Sequence, residues 1–232
     1  MPLFLTERAT DIRERMDDPD CDRKELFNTY RQFSVINALI SQWGSVYKQY
    51  IRPFALANER TCSILDIGFG GGDIPIKLAQ WCREDGITPV ITAIETDKRA
   101  FEFIQDVKCP DCVSFRLASS TEMVQQSRKF DFVISNHLLH HLEDVTFYSL
   151  LEEAESLSSH YVLFNDIERS DVGYLLFNLL SRPIFRSSFI TEDGLTSIKR
   201  SYTRRELQRK VPDGWQVTPI FPYRLLLTFR HE

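Results

Sequence analysis

The run Ser63-Ile64-Leu65-Asp66-Ile67-Gly68-Phe69-Gly70-Gly71-Gly72-Asp73-Ile74-Pro75 decides the fold. An apolar segment ends in an acid and a glycine-dense turn follows. Ile74, Ile76, Leu78 and Ala79 then open a helical pattern that continues through Trp81 and Cys82. Strand, glycine turn and helix bring backbone close to a ligand at the carboxyl end of an α/β sheet. The glycine spacing selects the ligand. A dinucleotide turn wants Gly-x-Gly-x-x-Gly or Ala. Gly68 and Gly70 fit, but the third place is Asp73, which would repel pyrophosphate at a helix N-terminus. The alternative, acid-x-Gly-x-Gly-x-Gly, is met in full by Asp66, Gly68, Gly70 and Gly72. It suits a ligand with sulfonium and ammonium groups, which tolerates nearby acids.

Downstream, strand and helix patterns alternate. Pro89 to Ile94 is a second strand closing on Glu95, placed to accept both hydroxyls of a ribose. Val113, Phe115 and Leu117 mark a third strand, Phe130 to Asn136 a fourth, and Tyr161 to Phe164 a fifth that ends in Asn165-Asp166. Helical spacings separate them: Ala100, Phe103, Ile104 and Val107, then Phe147, Leu150, Leu151 and Ala154 behind Asp144. Such alternation implies a parallel sheet with helices on both faces.

Both flanks depart from that rhythm. Residues 1–20 are polar, with Asp17-Asp18-Pro19-Asp20 as a loop. Asp22 to Glu25 reads as a capping box, opening an amphipathic helix through Leu26, Tyr30, Phe33, Ile36, Ile40 and Trp43. A second helical segment, around Val46 to Phe54, ends near Pro53. After Asp166 comes an apolar helical stretch from Val172 to Leu180, then Pro183, Phe185, Phe189 and Asp193-Gly194. Thr203 to Glu206 is another capping box. Trp215 to Thr218 and Tyr223 to Phe229 read as a hairpin across Pro219 to Pro222. The expected organisation is one domain: a helical extension (1–60), a core (61–166), a cap or insertion (167–201), and a last helix with a strand pair (202–232).

Composition narrows the function. A net charge of −5 argues against a nucleic-acid partner held on a broad basic surface. Lys199-Arg200 and Arg204-Arg205 read as solvated helix faces. No apolar run reaches the roughly 18–20 residues of a membrane span, and the N-terminus meets acid and base too early for a secretory signal. Five cysteines, an odd count, suggest reduced thiols. The expectation is a soluble, cytoplasmic protein without an integral membrane segment. Cys109-Pro110-Asp111-Cys112 lacks a second ligand pair at zinc spacing, so it reads as loop cysteines and no metal is expected.

The glycine motif, Glu95, and Phe130-Asp131-Phe132-Val133-Ile134-Ser135-Asn136-His137-Leu138-Leu139-His140-His141-Leu142 together resemble the class I S-adenosylmethionine-dependent methyltransferases. The likeness covers residues 60–166 and is similar to the small-molecule branch of quinone and polyketide O-methyltransferases. It implies a Rossmann-like sheet of seven mostly parallel strands, the last antiparallel. It also implies S-adenosyl-L-methionine as cofactor and S-adenosyl-L-homocysteine as product. The implied cofactor set is Asp66, Gly68, Gly70, Gly72, Glu95, Thr96, Ser119, Asn136 and His137. Ser119 replaces the acid that often meets adenine after the third strand.

Methyl transfer to a phenol benefits from a base, and the candidates are His140, His141 and Asp166, with His137 beside them. Arg169 could clamp an acidic substrate. Asn/Asp-Pro-Pro-aromatic, which the resemblance associates with amine and amide acceptors, is absent after the fourth strand, so an oxygen or carbon acceptor is expected. Tyr174, Phe177, Phe185 and Phe189 could wall a dry pocket with Tyr30 and Phe33; core packing and a membrane- or carrier-binding face are the alternatives. The expected reaction is methylation of a hydroxyl on a small lipophilic phenol, quinol or polyketide. A homodimer is the candidate assembly. The competing readings are a non-catalytic cofactor-binding protein and a nicotinamide-dependent oxidoreductase.

Overall fold

The computed structural model describes residues 2–231. Helices α1 (Arg23–Ile40), α2 (Trp43–Val46) and α3 (Arg52–Ala57) precede the sheet, the last two joined by a π-helical turn, Tyr47–Ile51. Then follow β1 (Thr61–Ile67), α4 (Asp73–Glu84), β2 (Thr88–Glu95), α5 (Lys98–Gln105), β3 (Val113–Leu117), α6 (Ser120–Gln125) and β4 (Phe130–Asn136). The second half holds α7 (Asp144–Leu157), β5 (Ser158–Ile167), α8 (Asp171–Ile184), α9 (Ile190–Arg200), α10 (Arg204–Lys210), β6 (Trp215–Ile220) and β7 (Arg224–Arg230).

The seven strands form one sheet in the order β3-β2-β1-β4-β5-β7-β6. β1 to β5 pair in parallel, and β7 runs antiparallel between β5 and β6. The chain leaves β1 toward β2 on one side and returns to β4 on the other. The glycine turn therefore sits at the switch point, where open α/β sheets bind ligands. Continuous apolar runs in β1 and β4 are what a parallel strand covered on both faces requires. One face packs on α7 through Phe147, Leu151 and Ala154, the other on α4 through Ile74, Leu78 and Cys82. This is the seven-stranded, mostly parallel Rossmann-like architecture expected from the sequence.

The capping signals work as local chemistry predicts. Asp22 accepts from the Glu25 amide, and Thr203 with Glu206 closes a reciprocal box at α10. Elsewhere the structure corrects the reading. α1 ends at Ile40 rather than running through Trp43. The Ser41 hydroxyl binds back to the Asn37 carbonyl at 2.6 Å, and the Ser41 carbonyl accepts from Asn165 Nδ2 at 2.6 Å. Gln42 then turns left-handed, at φ 57°. Pro53 follows directly on the π-helical turn and does not end the helical segment, which continues through α3 to Ala57. α9 runs straight through Asp193-Gly194, and β6 extends through Pro219 and Ile220.

The largest correction concerns residues 2–17. They belong to the extension expected to be helical, yet apart from one short turn at Arg15–Asp17 they run as a strap across the insertion. Amides of Leu3, Phe4 and Leu5 donate to the Asp171 carboxylate at the start of α8. Those of Arg15 and Met16 donate to the Asp193 carboxylate at 2.7 and 3.0 Å. Arg169 holds this strap instead of facing a substrate: it is buried, and its guanidinium binds the Leu5, Thr6 and Ser201 carbonyls and Glu206. Arg200 is likewise buried rather than solvated, and donates to the carbonyls of Ile12, His140 and His141.

Candidate active site

A cavity of about 700 Å³ opens at the carboxyl end of the sheet. Its floor is the glycine turn. Gly68, Gly70 and Gly72 all take positive φ, which L-residues with side chains resist. Asp66, Gly68, Gly70, Glu95, Thr96, Asn136 and His137 from the cofactor set line it, with His140 and His141.

Three of the sequence candidates sit elsewhere. Gly72 faces away: a Cβ there would lie 2.4 Å from Ile104 Cδ1 and 3.1 Å from the Phe115 ring, so this glycine lets the turn seat against α5 and β3. Ser119 caps α6 in a reciprocal box with Glu122, which occupies its hydroxyl and amide. Asp166 stands behind His140, outside the lining.

The cavity floor is acidic. Asp66 is buried, and one of its oxygens, Oδ2, has no hydrogen-bond partner. Burial, then the nearby Asp73 and Glu95, pushes its carboxyl well above the usual range. Burial also raises Asp73 to about 6, against the stabilising hydrogen bond from Asn37 Nδ2 at 2.9 Å. Carboxylates that oppose each other's ionisation favour a cationic guest. Glu95 is held rigidly: Oε1 accepts from the Thr96 and Asp97 amides at 2.8 and 3.1 Å, and Oε2 from the Gly70 amide at 3.1 Å. This leaves lone pairs of a fixed carboxylate facing the cavity.

A polar lattice that sequence reasoning missed fixes the end of β4. Asn136 Oδ1 accepts from Trp43 Nε1 at 3.0 Å and from the Arg224 guanidinium at 2.9 Å, while its Nδ2 donates to Asn37 Oδ1 at 3.3 Å. His137 adopts φ 60°, and its Nε2 lies 2.5 Å from Arg224 Nη1. Burial first, then Arg224, holds the imidazole well below its ordinary pKa, so it is neutral and accepts from the guanidinium. Asn37 had one legible signal: it falls seven residues after Tyr30 and four after Phe33, a polar residue on the apolar stripe.

A second cluster stands on the cavity wall. His140 is buried in the single turn Leu139–His141, with Nδ1 2.7 Å from Asp166 Oδ1 and its amide donating to Asp166 Oδ2 at 2.9 Å. Its Nε2 lies 3.3 Å from Glu14 Oε1, and His141 Nε2 lies 3.6 Å from the same oxygen. His141 Nδ1 is 3.3 Å from Asp17 Oδ2. Burial alone would lower His140, but Asp166 and Glu14 outweigh it and raise it to about 9. Burial likewise opposes ionisation of Asp166, which His140 nevertheless holds well below the usual carboxylate range. Glu14 and Asp17 come from the strap and carried no sequence motif.

The roof is apolar. Phe177, Leu180, Ile184 and Phe185 of the insertion face Phe33, Ile36 and Leu39 of α1 across the cavity. Phe189 is fully buried beside Leu26 and Tyr30, and Tyr174 packs on Phe4. The aromatic set thus divides between cavity wall and core.

Comparison with known proteins agrees with this geometry. Residues 64–159 match the family model described as a methyltransferase domain. The plantazolicin methyltransferase BpumL, solved with S-adenosylhomocysteine, superposes with a TM-score of 0.66 at 13% identity, covering 94% of this chain and 93% of that one. Human N-acetylserotonin methyltransferase, solved with S-adenosylmethionine, gives 0.60 at 14% identity, covering 90% of this chain and 56% of that one. No curated protein sequence matches the chain significantly. Over residues 64–159 the chain resembles a methyltransferase domain, and its fold is the one these two methyltransferases share. Among the described residues no helix is long and apolar enough to cross a membrane.

Proposed function

We propose that the chain transfers the methyl group of S-adenosylmethionine to a hydroxyl of a small lipophilic molecule of phenol, quinol or polyketide type. One observation carries this reading: a single cavity joins an acidic floor, a carboxylate–imidazole cluster and an apolar roof. Bound S-adenosylmethionine supplies a methyl group on a sulfonium that leaves as a neutral thioether. The residues here fit its charge, because Asp66 Oδ2 lacks a partner and Asp73 lies beside it in the lining. Glu95 and Thr96 hold the ribose hydroxyls, Asn136 and His137 flank the methionyl end, and the core 61–166 serves the cofactor.

The acceptor is assigned to the other segments, 1–60 and 167–201. Leu39, Leu180 and Ile184 line the cavity yet remain 58%, 57% and 53% exposed, a greasy mouth suited to an apolar molecule. Closure by the strap and insertion excludes water and aligns the acceptor for in-line displacement. The Glu14, His140 and His141 cluster meets the acceptor hydroxyl as its proton leaves, and Asp166 positions His140. Transfer of a labelled methyl group to a panel of phenols, quinols and amines tests the proposal. Labelling of phenols or quinols is expected. Labelling of amines alone would overturn the hydroxyl assignment. An unlabelled panel from protein that binds S-adenosylhomocysteine would favour a non-catalytic role.

The acidic floor gives a pH signature. With Asp73 raised to about 6, a cationic ligand must displace a proton below that pH, and Asp66, raised as well, acts in the same direction. S-adenosylmethionine should therefore bind about tenfold more weakly at pH 5 than at pH 7, the slope being one proton per ligand. Asp73→Asn should remove most of that slope. Calorimetry across the range checks it, and an unchanged slope in the variant would place the titrating group elsewhere.

A further inference from the structure

Glu14, His140 and His141 share more than a wall of the cavity. Glu14 Oε1 lies 3.3 Å from His140 Nε2 and 3.6 Å from His141 Nε2, and the three ligand atoms all fall within 4.8 Å of one another. A tetrahedral site with bonds of about 2.0–2.1 Å separates its ligand atoms by about 3.3–3.4 Å. The two contacts to Glu14 Oε1 approach that edge length, and two imidazoles with one carboxylate form a donor set that zinc accepts.

The surroundings point the same way. His140 is 1% exposed, and its Nε2 is buried without a hydrogen-bond partner. Because Nδ1 sits 2.7 Å from Asp166 Oδ1, Nδ1 keeps its proton, and Nε2, which faces Glu14 and His141, is the nitrogen whose proton a cation would displace. A carboxylate behind the distal nitrogen is how metal-bound histidines are oriented. His141 repeats the arrangement, with Nδ1 3.3 Å from Asp17 Oδ2. Glu14 is itself held by the Ser197 hydroxyl, at 2.6 Å from Oε1. Each of the three ligands thus has its own outer partner, drawn from the strap, β5 and α9.

We propose that Glu14, His140 and His141 bind one divalent cation of zinc type, with a fourth position open to the cavity for the acceptor's oxygen. Cation binding stands on geometry alone. Its role rests on the methyltransferase reading: the positive charge stabilises the deprotonated acceptor oxygen, whose proton passes to solvent before the oxygen attacks.

Chelator-treated full-length protein is titrated with Co²⁺ by visible absorption and with Zn²⁺ by calorimetry, and S-adenosylhomocysteine binding is measured on the same preparation. One equivalent of Co²⁺ with the intense visible bands of a tetrahedral site is expected, displaced by Zn²⁺. His141→Ala and Glu14→Gln should each weaken Zn²⁺ at least tenfold. His231→Ala, on the C-terminal segment near Glu155 and Ser158, should not. His141 is partly exposed, so its truncation spares the fold, and circular dichroism checks that. Binding below 0.2 equivalents, or binding indifferent to both ligand variants, would overturn the site. Loss of S-adenosylhomocysteine binding with the cation retained would instead count against the methyltransferase reading.

Discussion

Gly71→Ala should weaken S-adenosylhomocysteine binding at least tenfold and lower the melting temperature by several degrees, although the glycine motif treats position 71 as free. A Cβ on Gly71 would stand 2.6 Å from the Tyr30 carbonyl oxygen and 3.3 Å from its carbon. Those atoms are backbone in the middle of α1, so no side-chain rotation relieves the clash. The helix itself must move, and overpacking of that kind costs about 1–3 kcal/mol. α1 carries Asn37, which holds both Asp73 and Asn136, so a displaced α1 loosens the cofactor floor as well as the fold. Gly70→Ala is the informative contrast. Its Cβ would meet the Phe33 ring at an ordinary 3.5 Å, and the cost is the backbone conformation at φ 50°, about 1–2 kcal/mol. Gly44→Ala, with Trp81 atoms at 3.5 Å and no positive φ, should be near neutral. Calorimetry and thermal melts rank the three. Parental affinity in Gly71→Ala would mean that α1 does not press on the turn.

What could be read from the sequence was local. The glycine turn announces itself because strand, acid and glycines are consecutive in the chain, and Glu95 because the end of the next strand is fixed by its apolar run. The caps at Asp22 and Thr203 needed only a four-residue window. The groups that finish the site come from remote segments. Glu14 reaches His140 from 126 positions away and Arg224 reaches His137 from 87. Nothing near Glu14 distinguishes it from the other charges of the strap; its burial exists only once α9 and the Leu139–His141 turn have come together. Ser119 shows the opposite limit. Its place after the third strand suggested adenine, whereas Glu122 three residues on had already defined a capping box, a signal legible in the sequence.

Arg224 is the residue on which the largest stability loss should fall. It opens β7 at 1% exposure and joins three strand ends at once. Nε donates to Asn165 Oδ1 at 2.8 Å, and Nη2 to Asn136 Oδ1 at 2.9 Å and the Asn165 carbonyl at 3.2 Å. Nη1 serves His137. Burial lowers the guanidinium to about 10, against the pull of Asp166, so it stays charged at neutral pH. Arg224→Met would take the guanidinium donor from Asn165 Oδ1 and His137 Nε2, leave Asn136 Oδ1 with Trp43 alone, and leave Asp166 short of a compensating charge. Breaking a buried network of this kind costs about 3–5 kcal/mol. A lysine restores the charge but not the fork, since one ammonium cannot reach three partners in the plane that the guanidinium spans. Arg224→Lys should therefore recover less than half of the loss. Urea unfolding measures both, with the expected order parent, Lys, Met. Cofactor affinity should follow the same order, because Asn136 and His137, whose φ of 60° needs an external hold, are fixed by the same guanidinium. A methionine variant within about 1 kcal/mol of the parent would show that the strand ends are held by the sheet ladder alone, and that the polar lattice around Arg224 is a consequence of the fold rather than one of its supports.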